Sequence, residues 1–339
     1  MELEERKARI LYGQHLTAPA DQETVCRDLC GIQAQFLSSA LHALTIRTVG
    51  PVEPEKLVKS WTIRGTVHVF TPSDLPLFLH EGRTHYLRPV DRMEEDEHIS
   101  LERKRYFADL ILDSLARGVC RREDLKAACF AAGMTEGESE SVFNPWGGTL
   151  RYLAETGQIT HKVGEDKAFQ LCPPFTPMEE EPARLELARR YFAHYGSATV
   201  KDAAYFFGKP QREVRTWMDE LPLAHAAVDG RDCFWLETGE TNWPAVPDCL
   251  FLAGFDQLML GYEKTESIFL PGESLRDIFT LSGIVMAPIL LRGRVAGRWK
   301  QKDGKLTLTP FGSWTAADKK LVLRAAEEQW TLKKVVWEE

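Results

Sequence analysis

The chain has 339 residues, of which 44% are hydrophobic and 27% charged, ordinary globular usage with enough length for several cores. Its formal net charge is −8, which excludes a protein that coats nucleic acid through bulk positive charge and leaves only local basic surfaces for such contacts. The longest strongly apolar run, around Gly283–Leu291, is broken by Pro288 and falls far short of a membrane span, and the seven cysteines show no C-x-x-C. Without a signal-peptide pattern or a disulfide framework, the expectation is a cytoplasmic protein with reduced, buried thiols.

Helices followed by strand-like residues and a tight turn recur three times. In the first stretch the spacing predicts a helix over Glu4–Gln14, with Ile10 and Leu11 apolar. Asp21 is the expected N-cap of a second helix, and Phe36–Arg47 carries Leu37, Ala40, Leu41 and Leu44 at helical spacing. Pro54–Trp61 is expected as a short helix and Thr66–Phe70, with Val67 and Val69 alternating, as a strand. The second stretch opens with a long helix, Leu101–Ala116. Helices over Glu123–Ala132 and Thr149–Glu155 follow, then two strands, Gln158–Val163 and Lys167–Leu171, around Gly164-Glu165-Asp166. Pro173, Pro174 and Pro177 mark a linker. The third stretch reads as helices over Arg184–Tyr195 and Val200–Phe207 and one begun by Pro210 and ending near Leu221, then strands Leu223–Val228 and Cys233–Leu236 around Asp229-Gly230. Beyond it the character changes to strand-like runs, Gly283–Leu291, Arg294–Lys300 and Lys305–Thr309, with Arg292-Gly293 and Asp303-Gly304 as turn signals. Ala316–Trp330 is a closing helix. The reading is a mainly α chain with β: modules over 1–100, 101–175 and 176–245, then a small C-terminal β-barrel over 246–339.

Five separated stretches carry a resemblance. They are Leu29-Cys30-Gly31-Ile32-Gln33-Ala34-Gln35, Ser60-Trp61-Thr62-Ile63-Arg64-Gly65-Thr66-Val67-His68, Gly254-Phe255-Asp256-Gln257-Leu258-Met259-Leu260-Gly261-Tyr262, Gly297-Arg298-Trp299-Lys300 and Leu308-Thr309-Pro310-Phe311. In this order they resemble the winged-helix DNA glycosylases of the AlkZ/YcaQ type, which repair alkylated purines and unhook interstrand crosslinks. The resemblance covers nearly the whole chain. It implies three tandem winged helices and a β-barrel in a C shape around a concave DNA channel, with double-stranded DNA as partner and a monomer as working unit. It also places the catalytic Gln-x-Gln motif at Gln33 and Gln35, similar to the AlkZ subgroup; the YcaQ subgroup carries Asp at the second position.

A glutamine cannot act as a general base at neutral pH, but its carbonyl can hold a water. That suffices where alkylation has made the purine cationic, so that the base departs neutral and little nucleophilic push is needed. Positions two apart diverge by about 200° on a helix and share a face on an extended chain. The motif is therefore expected to be extended, or at a helix start, with both amides pointing into the channel. Candidate lesion or DNA contacts are Arg64, His68, Arg294, Arg298 and Lys300, and candidate structural residues are Asp256 and Trp61. Each has a plainer alternative: a solvated turn for Gln-Ala-Gln taken alone, a satisfied strand-entry histidine for His68, a buried carboxylate accepting backbone N–H groups for Asp256, and core packing for Trp61, Trp146 and Trp299. No H-E-x-x-H, Cys/His quartet or phosphate-binding loop occurs, so neither metal nor cofactor is expected. No lysine is marked as a Schiff-base nucleophile, and the expected activity is monofunctional. A noncatalytic DNA-binding protein or transcriptional regulator is the alternative from a different class.

Overall fold

The computed structural model describes residues 2–165, 167–240 and 242–338, with Tyr86 described by its backbone alone. The chain forms two compact units, one of Met1–Val52 with Ala188–Glu339 and the other of Glu53–Leu187. Among the described residues no helix is long and apolar enough to cross a membrane, and none of the seven cysteines forms a disulfide.

The first unit begins with α1 (Leu3–Gly13) and α2 (Gln22–Asp28), the latter capped by Asp21, whose side chain accepts from the Thr24 N–H. The two-residue strand β1 (Ile32–Gln33) and α3 (Leu37–Thr45) follow. The chain then enters the second unit. Here β2 (Val58–Trp61) replaces the helix expected over Pro54–Trp61, which is reduced to a single 3-10 turn at Pro54–Lys56. The proline starts a turn, but Val58 and Ser60 alternate inward and β2 pairs antiparallel with β3 (Val67–Phe70), so cross-strand pairing overrides the local signal. After α4 (Leu75–Phe78) come α5 (Leu101–Ala116), α6 (Arg122–Ala131), α7 (Glu136–Val142) and α8 (Thr149–Glu155). The sequence reading passed over α7, although Thr135 and Glu138 complete a capping box at its start. The hairpin β4 (Ile159–His161) and β5 (Phe169–Leu171) follows; Asp166, the third residue of its expected turn, lies outside the described residues. The strands run in the order β3-β2-β4-β5. Phe107, Ile111, Leu125, Cys129, Val142, Leu150, Leu153 and Ile159 form the core beneath them.

The long helix α9 (Glu180–His194) carries the chain back into the first unit. There α10 (Val200–Phe207) and α11 (Gln211–Asp219) precede the hairpin β6 (Ala224–Val228) and β7 (Arg231–Trp235). The C-terminal part contains β8 (Cys249–Phe251), α12 (Gln257–Leu260), α13 (Leu275–Ile278), β9 (Pro288–Leu291), β10 (Arg294–Lys302), β11 (Lys305–Pro310), α14 (Ala316–Gln329) and β12 (Lys334–Trp337). Asp229-Gly230, Arg292-Gly293 and Asp303-Gly304 all have positive φ at both residues. That is the geometry of two-residue turns that match strand twist, which is why these dipeptides were readable as hairpins.

The expected C-terminal β-barrel does not close. The strands lie in the order β12-β11-β10-β9-β8, an open sheet with β8 and β12 as its two edges. β12, missed from sequence, adds parallel to β11. The closing helix α14 supplies what a barrel would obtain by curling: Val322 and Ala326 pack on Phe251, Ile289, Leu291, Leu306 and Leu308, so the sheet buries a face without joining its edges. The run expected as a strand from Gly283 is extended in the sheet only from Pro288.

One ion pair sits at the centre of the first unit. Arg47 donates from Nη2 to Asp256 Oδ1 at 2.7 Å and from Nη1 to Oδ2 at 3.1 Å, and both side chains are completely buried. Arg47 also donates to the carbonyls of Gln14 and Ala43, while Asp256 accepts from the Ala253 and Leu258 N–H groups and so caps α12. The pair ties the end of α1, the end of α3 and the start of α12 into one knot. Removing one partner of such a pair strands the other in low dielectric, at a cost of about 3–5 kcal/mol. Arg47→Met is accordingly expected to lower unfolding free energy by about 3 kcal/mol or more in urea titrations. The double variant Arg47→Met/Asp256→Asn should lose clearly less than the sum of its parts; strict additivity would show that the two side chains do not act as a pair.

Candidate functional site

Gln33 and Gln35 follow the end of α2. Cys30 and Gly31 both have positive φ, at 55° and 73°, and together they turn the chain out of the helix into β1. The turn is fixed through its backbone. The Gly31 N–H donates to the Cys26 carbonyl at 2.7 Å, the Gln257 amide donates to the Gly31 carbonyl, and the Tyr195 hydroxyl donates to the Leu29 carbonyl at 2.9 Å. Gln257 is the residue after Asp256, so the Arg47–Asp256 knot also places the amide that holds Gly31. The motif is extended at Gln33 and becomes helical only at Leu37. Gln33 is buried, Ala34 is buried, and Gln35 and Phe36 are exposed, so the two amides occupy different depths. The Phe36 ring, 49% exposed, rests 5.9 Å from that of the buried Phe255.

Trp61, Arg64 and His68 belong to the second unit. Arg64 and Gly65 both have positive φ in a tight turn closed by the Thr62 N–H on the Thr66 carbonyl at 2.9 Å. At Gly65 an added Cβ would lie 2.5 Å from Nη2 of Arg151 as well as in a strained conformation, so this position requires glycine. His68 is buried, with Nδ1 2.8 Å from the Thr62 hydroxyl and 3.2 Å from the Thr66 carbonyl. A carbonyl can only accept, so Nδ1 carries the proton and Nε2 is the acceptor. Burial, reinforced by the charge of Arg64, pushes the imidazole down to about 3, and it is neutral at physiological pH. Trp61 is half-buried, 4.6 Å from the ring of His161.

Sequence reasoning missed the ionic chain that braces this turn. Arg88 pairs with Asp91 at 2.6 Å, Asp91 with Arg151 at 3.4 Å, Arg151 with Glu155 at 2.6 Å, and Glu155 with Arg83 at 3.0 Å. Arg83 in turn donates to the Thr62 carbonyl, and Asp91 accepts from the Gly148 N–H at the start of α8. Asp91 and Glu155 are buried carboxylates, and the pairing keeps them from being isolated charges. Arg88 to Asp91 and Arg151 to Glu155 are local pairs, but the links from Asp91 to Arg151 and from Glu155 to Arg83 join segments far apart in sequence, and no local motif signals them.

Arg294, Arg298 and Lys300 lie on β10, in the first unit. Arg294 is exposed and pairs with Glu273 at 2.9 Å, Arg298 is half-buried with a guanidinium nitrogen 3.5 Å from the Asp277 carbonyl, and Lys300 is exposed. A bulge between Val295 and Gly297 shifts the register between the two arginines. Arg292, Arg294 and Arg298 border a depression of about 910 Å³ together with Glu273, Asp277 and Asp318, so carboxylates partly neutralise this basic face.

Comparison with known proteins places these features in a family. The model of the AlkZ-like DNA glycosylases matches residues 26–330. The interstrand DNA cross-link repair glycosylase of Streptomyces sahachiroi is 26% identical over 332 residues, covering 87% of this chain and 86% of that protein. The solved structure of the Streptomyces sahachiroi DNA glycosylase AlkZ has the same fold, with a TM-score of 0.76 at 22% identity over 100% of this chain and 99% of that one. With a match spanning both units and including Gln33 and Gln35, the chain belongs to the AlkZ-like DNA glycosylase family.

Proposed function

We propose that this chain is a monofunctional glycosylase that hydrolyses the N-glycosidic bond of cationic alkylated purines in double-stranded DNA, such as N7-alkylguanine and N3-alkyladenine, and that it unhooks interstrand crosslinks. The observation that carries this reading is the Gln33-Ala34-Gln35 motif, leaving a turn clamped at Leu29 and Gly31 and extended at Gln33, within a chain matched over residues 26–330 to a glycosylase family. In this reading the three helical groups with their hairpins act as winged-helix modules, the protein works as a monomer in the cytoplasm, on the nucleoid, and no cofactor takes part. Arg64, His68, Arg294, Arg298 and Lys300 are proposed DNA contacts, and Trp61 and Asp256 structural supports.

The chemistry follows from what an amide can do. With the base already positive, the C1′–N bond stretches early and the sugar gains oxocarbenium character. The two carbonyl oxygens orient a water toward C1′ and place their negative ends near the developing cation. The backbone that leads into them is held at Leu29 and Gly31 by the Tyr195 hydroxyl and the Gln257 amide, which favours a site that needs little reorganisation as charge develops. Uncharged amides add less stabilisation than a carboxylate, which suits the activity to leaving groups that lesion chemistry has weakened.

Single-turnover release of N7-methylguanine from duplex DNA tests the assignment. Gln33→Ala and Gln35→Ala are each expected to slow release by about 10²-fold with binding retained, the scale of losing one positioned catalytic group. Equal rates in the wild type and both variants would refute the motif, and sequence-specific binding without base release would make the chain a regulator. The same assay carries a pH test. Amides do not titrate, and His68, pushed down to about 3, stays neutral above that pH. The rate on a permanently cationic lesion is therefore expected to be flat from about pH 6 to pH 8, whereas an imidazole base of ordinary pKa would lose rate as pH falls through about 6.5.

A further inference from the structure

His15 and Asp28 converge in the first unit with His194, which is distant in sequence from both. His15 lies just beyond α1, Asp28 ends α2 and His194 ends α9. One donor atom from each lies within 4.8 Å of the others. His15 Nε2 is 2.9 Å from Asp28 Oδ2, and His194 Nε2 is 3.5 Å from Asp28 Oδ1, which also accepts from Arg27 Nε at 3.0 Å. The opposite nitrogens face main-chain oxygens: His15 Nδ1 lies 3.3 Å from the Ala18 carbonyl and His194 Nδ1 3.2 Å from the Gly13 carbonyl.

This leaves an electrostatic requirement. Each imidazole faces oxygen acceptors through both nitrogens, yet a neutral ring carries only one proton. The second nitrogen of each ring is satisfied either by a further proton or by a cation standing between it and the oxygen, and only the cation draws all three side chains onto one centre. Carbonyls at Nδ1 are the partners that fix a metal-binding histidine with its Nε2 lone pair turned toward the ion. The two rings stack with centroids 5.9 Å apart, and both Nε2 atoms face the Asp28 carboxylate. His15 is held at φ +57°, a left-handed conformation that is uncommon outside glycine. A cavity of about 380 Å³ lined by Arg9, Tyr12, His15, His194 and Trp243 opens beside the rings.

From this geometry we propose that His15, Asp28 and His194 form a binding site for a divalent transition-metal ion of the zinc class, with water from the adjoining cavity completing the coordination. Two imidazoles and one carboxylate are a donor set suited to such ions. Tetrahedral zinc with bonds of about 2.0–2.1 Å needs donors about 3.4 Å apart, so small ring movements complete the site. An ion here joins the ends of three helices, and Asp28 lies five residues before Gln33. Loading would stiffen the stem from which the Gln-x-Gln segment departs. The site is independent of the proposed base-release chemistry, so either reading can fail alone.

Zinc titration of the full-length chain by calorimetry, with metal content measured after dialysis, tests the site. The wild type is expected to bind one Zn²⁺ per chain, and Co²⁺ in its place should give the visible absorption of a four- or five-coordinate ion. His15→Asn, chosen because asparagine tolerates the left-handed conformation, and His194→Gln should each weaken binding by about 100-fold or more, the loss expected for a direct ligand. Zn²⁺ should also raise the Tm of the wild type and not of the variants. NMR of the imidazole nitrogens of the wild type decides the case even if a variant fails to fold. Zinc-induced shifts at both Nε2 atoms support the site. Rings that stay unperturbed under saturating Zn²⁺, with a bound proton bridging to Asp28, overturn it, as does binding that both folded variants retain.

Discussion

The buried pair between Arg47 and Asp256 is the constraint on which the first unit depends. Two residues 209 positions apart form a bidentate contact from which water is excluded. Burying either charge alone would be costly, and burying both is tolerable only because their remaining hydrogen-bonding capacity is met by main-chain groups from α1, α3 and the start of α12. The pair therefore works as a registration device: it is satisfied in one arrangement of these elements and penalises others. Gln257 inherits its position from that arrangement, and Gln257 holds the carbonyl of Gly31. The chain of dependence runs from an ion pair to a helix cap, from the cap to an amide, and from the amide to the backbone that presents Gln33 and Gln35.

The same device recurs in the second unit with more members. Three arginines and two carboxylates run from Arg88 to Arg83 and end on the carbonyl of Thr62, which opens the turn carrying Arg64 and leading to His68. In both units, buried charge fixes backbone conformation, and Gln33, Gln35, Arg64 and His68 follow from that backbone, whereas Arg294, Arg298 and Lys300 stand apart on β10. A neutral His68 and two amides are in keeping with this economy. Groups that do not change charge near neutrality depend on position for their effect, and position is what the ionic networks supply.

Much of the fold was legible from local signals. The helices Leu101–Ala116, Thr149–Glu155 and Val200–Phe207 are bounded where periodicity and capping residues place them. Asp229-Gly230, Arg292-Gly293 and Asp303-Gly304 declare their hairpins because few other residues accept two successive left-handed conformations. The failures have physical causes. Pro54 is a strong local starter, but the strand after it is decided by a partner in β3. The open C-terminal sheet was misread as a barrel because strands and turns are local whereas closure depends on whether the edges meet, and α14 covers the face instead. At the candidate site, the spacing of Gln33 and Gln35 suggested an extended segment or a helix start with both amides on one face; the chain is extended at Gln33 but bends at Gln35, and one amide is buried while the other is exposed.

The sequence by itself determined most of the order of helices and hairpins, because periodicity and turn chemistry act over a few residues, and its separated motifs carried the family resemblance and marked Gln33 and Gln35 as candidates. Only the tertiary structure decided how the C-terminal strands are covered, which charges are buried together, and that His15, Asp28 and His194 share one small space. Those outcomes come from side chains distant along the chain finding one another in low dielectric, where a polar group left without a partner is costly enough to select the arrangement that supplies it.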